Sequence, residues 1–169
     1  GDVDGVVEMQ FVAVLETPGP PPSLRVDWQR PIVDTHLRWI TKRAGALPLM
    51  PWKGAASVQA RGTSNAPVYT LMSIDDTNRM TFAVSDAVNP SVLRAQVSEE
   101  TAMLNCCVEF PARTSPIAAK HSFRMRVDTR PVSYAVALNG VAEWWTTFDD
   151  CRPMPVAAHA RLPMYSTWY

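Results

Sequence analysis

The sequence predicts a mainly β protein: an antiparallel β-sandwich with one C-terminal helix followed by a linker. Three observations lead there. Proline occurs 15 times, about 9% of the chain against a typical ~5%, and it breaks helices while marking turns and strand edges. Several short runs alternate apolar and polar residues with period two, the mark of a half-buried strand. Apolar spacing becomes helical in one stretch, and that stretch follows all the strand candidates. Strands first and a helix last is the order of a sandwich, not of alternating βα units.

The elements follow in order. Gly5–Glu16, "GVVEMQFVAVLE", is valine-rich and β-forming, and the prolines of Thr17–Ser23, "TPGPPPS", make a stiff connector. "LRVDW" (Leu24–Trp28) alternates with period two, and "IVDTHLRWI" (Ile32–Ile40) is a further strand candidate. Regular patterning is lost between Ala44 and Ala66, which predicts a long loop with one short strand near Ser57–Ala60. Val68–Asp86 reads as a β-hairpin turning at Asp75-Asp76-Thr77-Asn78-Arg79, because Asp and Asn bond to nearby backbone and tolerate left-handed φ. "VLRAQVSEE" and "TAMLNCCVEF" form the next antiparallel pair, turning at Glu99-Glu100. In Lys120–Arg130, Phe123, Met125 and Val127 share one face, with Arg124, Arg126 and Asp128 on the other. Val132, Ala135, Leu138, Val141, Ala142, Trp145 and Phe148 then fall at helical spacing. This places a helix at 131–147, with Pro131 in its first turn and Gly140 weakening its middle by ~1 kcal/mol.

Bulk properties bound the function. The 169 residues suit one domain, the sandwich at 1–148, with 149–169 as linker. Sixteen basic and sixteen acidic residues cancel, so nothing points to nucleic acid or an anionic membrane surface. No apolar run approaches the ~18 residues of a membrane helix. Cys106, Cys107 and Cys151 form no disulfide framework; buried free thiols are the first reading, and a bridge from Cys151 to one of the others is the alternative. The chain begins with Gly1 rather than Met, which fits a processed or trimmed chain that has lost a secretion signal.

Catalytic patterns are missing from the sequence. His36, His121 and His159 are scattered, read as partly exposed, and match no metal-binding spacing. Neither a G-x-S-x-G elbow nor a phosphate loop occurs. The pairs Asp75-Asp76, Glu99-Glu100 and Asp149-Asp150 are turn residues, whereas glycosidase carboxylates must face each other across a sugar. No catalytic residue, metal ligand or cofactor is therefore assigned. Tryptophan carries more signal. Trp28, Trp39 and Trp145 read as core, Trp52 lies in the irregular loop, and Trp144 cannot share a helix stripe with Trp145. One of that pair is expected to look outward or into another domain.

"TNRMTFAVSDAVNP", "VDTRPVSYAVALNGVAEWW" and "PMPVAAHARLPMYSTWY" together resemble the N-terminal region of bacterial alpha-galactosidase-like glycoside hydrolases, the melibiase family, over about Thr70–Tyr169. The resemblance implies a β-supersandwich preceding a (β/α)8 catalytic barrel, with Tyr165–Tyr169 as the first barrel strand. It also implies catalysis by two aspartates on later barrel strands, and no position here matches them. The expected function is an accessory domain that packs on its own C-terminal barrel. Trp52 is the candidate contact to substrate or a neighbouring subunit, and Trp144, Trp168 and Tyr169 are the candidate contacts to the barrel. Periplasmic or secreted location is the matching expectation. A stand-alone module binding oligosaccharide is the alternative, and a structural sandwich closing as a homo-oligomer is the third reading.

Overall fold

The computed structural model describes residues 4–41, 47–49, 65–86, 89–152 and 155–156, with backbone alone at 56–60 and 150. Ten strands, one helix and one 3₁₀ turn follow one another among these residues. They are β1 (Val6–Gly19), β2 (Leu24–Pro31), β3 (Leu37–Ile40), β4 (Leu47–Pro48), β5 (Ala56–Ala60), β6 (Val68–Met72), β7 (Asn78–Val84), β8 (Ser91–Ser98), β9 (Met103–Phe110), β10 (Ala118–Asp128), α1 (Tyr134–Trp145) and the turn Asp149–Cys151. Two antiparallel sheets form. One runs β1-β10-β7-β6-β3-β4 and the other β2-β9-β8-β5.

Period-two patterning decides which side chains meet between the sheets. From the first sheet come Tyr69, Leu71, Phe82, Val84, Phe123 and Met125; from the second come Leu93, Ala95, Leu104, Cys106, Val108 and Phe110. Aromatic rings bridge the layers: Trp28 of β2 meets Phe82 of β7 edge-on at 5.0 Å, and Phe110 of β9 lies 4.4 Å from Phe123 of β10. Offset and edge-on geometries of this kind exploit the ring quadrupole beyond area burial. β1 and β2 are the neighbouring edges of the two sheets, joined through the short connector at 20–23. The proline-rich connector is therefore shorter than its composition predicts, because β1 stays extended as far as Gly19, which pairs with Ala118 beyond a register shift.

The hairpin at 68–86 forms as the sequence predicts, with β6 and β7 paired. Its turn is shorter than expected, since Asn78 and Arg79 already belong to β7. Asp76 takes the left-handed φ of 64° that the turn requires. The pair β8–β9 likewise turns at Glu99-Glu100. The predicted long loop contains two short strands: β4 pairs with β3, and β5 pairs with β8 along the edge of the second sheet.

The helix starts later than its sequence suggests. Residues 131–133 stay outside the helix, because the β6–β7 turn captures them: Asn78 N donates to Val132 O at 2.7 Å, and Tyr134 N to Asp76 O at 3.0 Å. Pro131 thus precedes the helix instead of opening it, and Ser133 is the N-cap, its hydroxyl accepting from Val136 N. The buried face is broader than expected. Leu138, Val141, Trp145 and Phe148 pack as predicted, Ala137 and Trp144 join them, and Ala135 and Ala142 are exposed. Gly140 has a packing reason for its place: a Cβ there would stand 3.3 Å from the Arg126 guanidinium.

Candidate functional site

The outer face of the first sheet, which α1 covers, is the most strongly specified part of the molecule. Asp128 at the end of β10 is fully buried, and its carboxylate accepts from Arg130 N and Nε at 3.0 Å and from Nη2 at 2.5 Å. Asn78, also fully buried, donates from Nδ2 to the carbonyls of Asp128 (3.1 Å) and Arg130 (3.0 Å). Its Oδ1 accepts from Thr81 Oγ1 at 2.9 Å, and that hydroxyl stands 3.0 Å from Thr70 Oγ1. This buried chain runs from β6 through β7 and β10 to the segment entering the helix. Fully satisfied polar networks of this type fix one arrangement, since any slip orphans a buried donor.

At the other end of α1, Trp144 is 7% exposed and lies edge-on to Phe148 at 5.0 Å, with its Nε1–H donated to the Glu8 carboxylate. Trp145 is half-buried and donates Nε1–H to Val84 O at 2.9 Å. The expectation that one ring must look outward does not hold. Trp144 reaches Glu8 on β1 and Trp145 reaches Val84 on β7, so rings about 100° apart both find partners within the domain. Trp144, a candidate for barrel contact, is thereby enclosed by the sandwich itself. Beyond the helix, Cys151 Sγ donates to Ser85 O at 3.1 Å and ties the turn Asp149–Cys151 to the end of β7. Trp52, Trp168 and Tyr169 lie outside the described residues.

The described residues form two openings of note. At the β1–β2 corner, a polar pocket of about 300 Å³ is lined by Asp86, Asn89, Arg113, Lys120 and His121, with Phe110 among its apolar walls. His121 was expected to be partly exposed but is buried, and its Nε2 lies 3.1 Å from Gly19 O. A carbonyl only accepts, so Nε2 is the donor in this bond. Along the side of the sandwich a larger apolar cleft of about 550 Å³ opens between β1 and β2. Among the described residues no group of three His, Cys, Asp or Glu side chains could hold a metal ion. No described helix is long and apolar enough to cross a membrane.

The paired carboxylates sit in turns, as read from the sequence. Asp75 accepts from Ser73 Oγ and from Thr77 N, and these bonds, the Ser73 hydroxyl first, draw its pKa down to about 2. A carboxyl depressed in the folded state contributes stability above its unfolded pKa of ~3.9 and loses it as pH falls through the folded value. Thermal melts between pH 5 and pH 2 should therefore show a declining Tm, and Asp75→Asn should flatten that decline; an unchanged slope would remove Asp75 from the account. All three cysteines are thiols. Burial pushes Cys106 up to about 12, leaving it protonated and chemically inert at neutral pH.

No known family model matches this sequence, and no curated protein matches it.

Proposed function

We propose that this β-sandwich is the N-terminal, non-catalytic domain of an alpha-galactosidase-like glycoside hydrolase, packing on a C-terminal catalytic barrel and shaping its substrate site. One observation carries the reading. The residues within "VDTRPVSYAVALNGVAEWW" that carry the resemblance (Asp128, Arg130, Trp144 and Trp145) are those that lock α1 onto the outer face of the first sheet. Cys151, held at Ser85, fixes the turn after the helix in the same way. A domain that presents one rigid face to a following barrel would gain from a helix anchored so firmly. The parent reaction would be retaining hydrolysis of alpha-galactosides through two aspartates of that barrel, in the periplasm or outside the cell, with no cofactor from this domain. Trp168 and Tyr169 would meet the barrel, and Trp52 the substrate or a neighbouring subunit.

Reading the coding sequence past Tyr169 tests this directly. Several hundred codons of alternating strand and helix patterns are expected, and an immediate stop codon would overturn the reading. In the parent enzyme Trp52→Ala should raise KM for an alpha-galactoside severalfold at nearly constant kcat, the pattern of lost uniform binding. Unchanged kinetics would remove Trp52 from the substrate site.

The polar corner pocket favours a second reading, an oligosaccharide-binding module, because charged and amide groups converge there on an aromatic and proline wall. Titration calorimetry with melibiose and raffinose separates the two: heat that Arg113→Ala abolishes supports the module, and no heat rejects it.

A further inference from the structure

The side cleft has a composition that the accessory-domain reading does not use. Its walls come from both sheets: Met9 of β1, Met80 of β7 and Met125 of β10 face Val26 and Trp28 of β2. The connector at 20–23 holds the end of β1 against the start of β2, and the cleft opens toward the opposite ends of these strands, at Val7 and Pro31. Val7, on an inward-facing position of β1, is left 52% exposed as a result. Three methionines give an apolar wall that adapts to irregular shapes, and about 550 Å³ falls within the ~300–1,000 Å³ of small-molecule sites.

One cation interrupts this apolar lining. Arg30 points inward from β2, is half-buried, and donates one Nη1–H to the carbonyl of Arg79. Among the described residues its guanidinium has no carboxylate partner. The nearby Asp34 is taken by Arg79 and His36. Burial lowers the pKa of Arg30, and the like charge of Arg79 adds to the effect. Half-buried charge without a counter-ion is costly, and an anion brought to it gains more than it would in water. Arginine also presents several donors in a planar fork that matches a carboxylate.

We propose that the cleft binds a small amphipathic carboxylate, its apolar chain lying among Met9, Met80 and Met125 and its carboxylate paired with Arg30. The pairing of one charged residue, Arg30, with a wall that is apolar apart from Thr129 selects this class. A neutral lipid would leave Arg30 without its counter-ion, and a sugar would leave the methionine wall wet. The proposal is independent of the accessory-domain reading.

Titration calorimetry of the purified protein with decanoate, below its micellar concentration, and with decanol tests it. One molecule of decanoate should bind, and decanol, which has the same tail without the charge, should bind at least about tenfold more weakly, as expected for losing one charge-assisted pairing. Arg30→Met should erase that preference, and Met125→Trp, which fills the cleft, should abolish binding of both. No binding of decanoate, equal binding of decanoate and decanol to the unaltered protein, or full binding by Met125→Trp would each overturn the proposal. Sedimentation showing a dimer that Val7→Lys dissociates, without decanoate binding, would assign the cleft to a second copy and overturn it too.

Discussion

Replacing Asp128 by alanine should cost the protein about 3–5 kcal/mol, the penalty for breaking one side of a buried ion pair. The Asp128 carboxylate is fully buried and Arg130 is its ion-pair partner. Removing the carboxylate leaves a largely buried guanidinium without its ion-pair partner. Arg130 keeps 27% of its side chain in solvent, so the loss should fall toward the lower end of that range. The effect should also reach the helix. Without the pair, segment 131–133 is left with its backbone bonds to the β6–β7 turn as anchors, and the seam carrying Trp144 loosens. Urea unfolding followed by tryptophan fluorescence should show a lowered midpoint at an unchanged m-value. Asp128→Asn, which keeps shape and one acceptor oxygen, should lose less than the alanine variant. A loss below ~1 kcal/mol in Asp128→Ala would mean that Asn78 alone holds the corner.

Local patterns made most of this fold legible. Alternation in Leu24–Trp28 and Lys120–Arg130 is what β2 and β10 display, and turn chemistry at Asp75-Asp76 and Glu99-Glu100 marked both hairpins. Pairings between distant segments were not legible. β10 inserts between β1 and β7, aligning Val6 with Asp128 and Asp128 with Thr81. Nothing within either strand announces its partner, since side-chain alternation fixes a face and not a neighbour. Distance in sequence hid the polar contacts in the same way. Trp144 reads as surplus beside Trp145 until Glu8, 136 residues away, supplies an acceptor. His121 reads as partly exposed until Gly19, 102 residues away, brings a carbonyl to its Nε2. The helix start was misplaced for a related reason. Proline opens helices when its segment is free to do so, but here the hairpin turn had already claimed the backbone of 131–133. As for the candidate site, the sequence marked aromatic residues and could not mark the cleft. An opening between two sheets depends on how far their edges diverge, which no single strand encodes.

Phe82→Ala should be the costliest change in the core, at about 3–5 kcal/mol. Phe82 is fully buried where the two sheets meet, stacked on Tyr69 at 5.3 Å and met edge-on by Trp28 at 5.0 Å. Truncation removes both ring contacts and leaves a hole bounded by strands on each side, which cannot collapse without shifting the sheets. The magnitude also reports on the neighbouring cleft. Trp28 and Met80 line that cleft and lie beside Phe82 in the same core. Should the deleted ring open a passage to the cleft, water or a swung methionine would relieve part of the cavity and the cost would approach 2 kcal/mol. A hole that stays sealed would keep the full penalty. Phe82→Leu, which retains most of the volume but no ring, separates packing from aromatic geometry: of the total, about 0.5–1.5 kcal/mol per lost ring pair belongs to the latter. Measuring both variants by urea unfolding, and then again with saturating decanoate, decides between the two cases. A ligand seated in the cleft should stabilise Phe82→Ala more than the unaltered protein only if the hole and the cleft are one space.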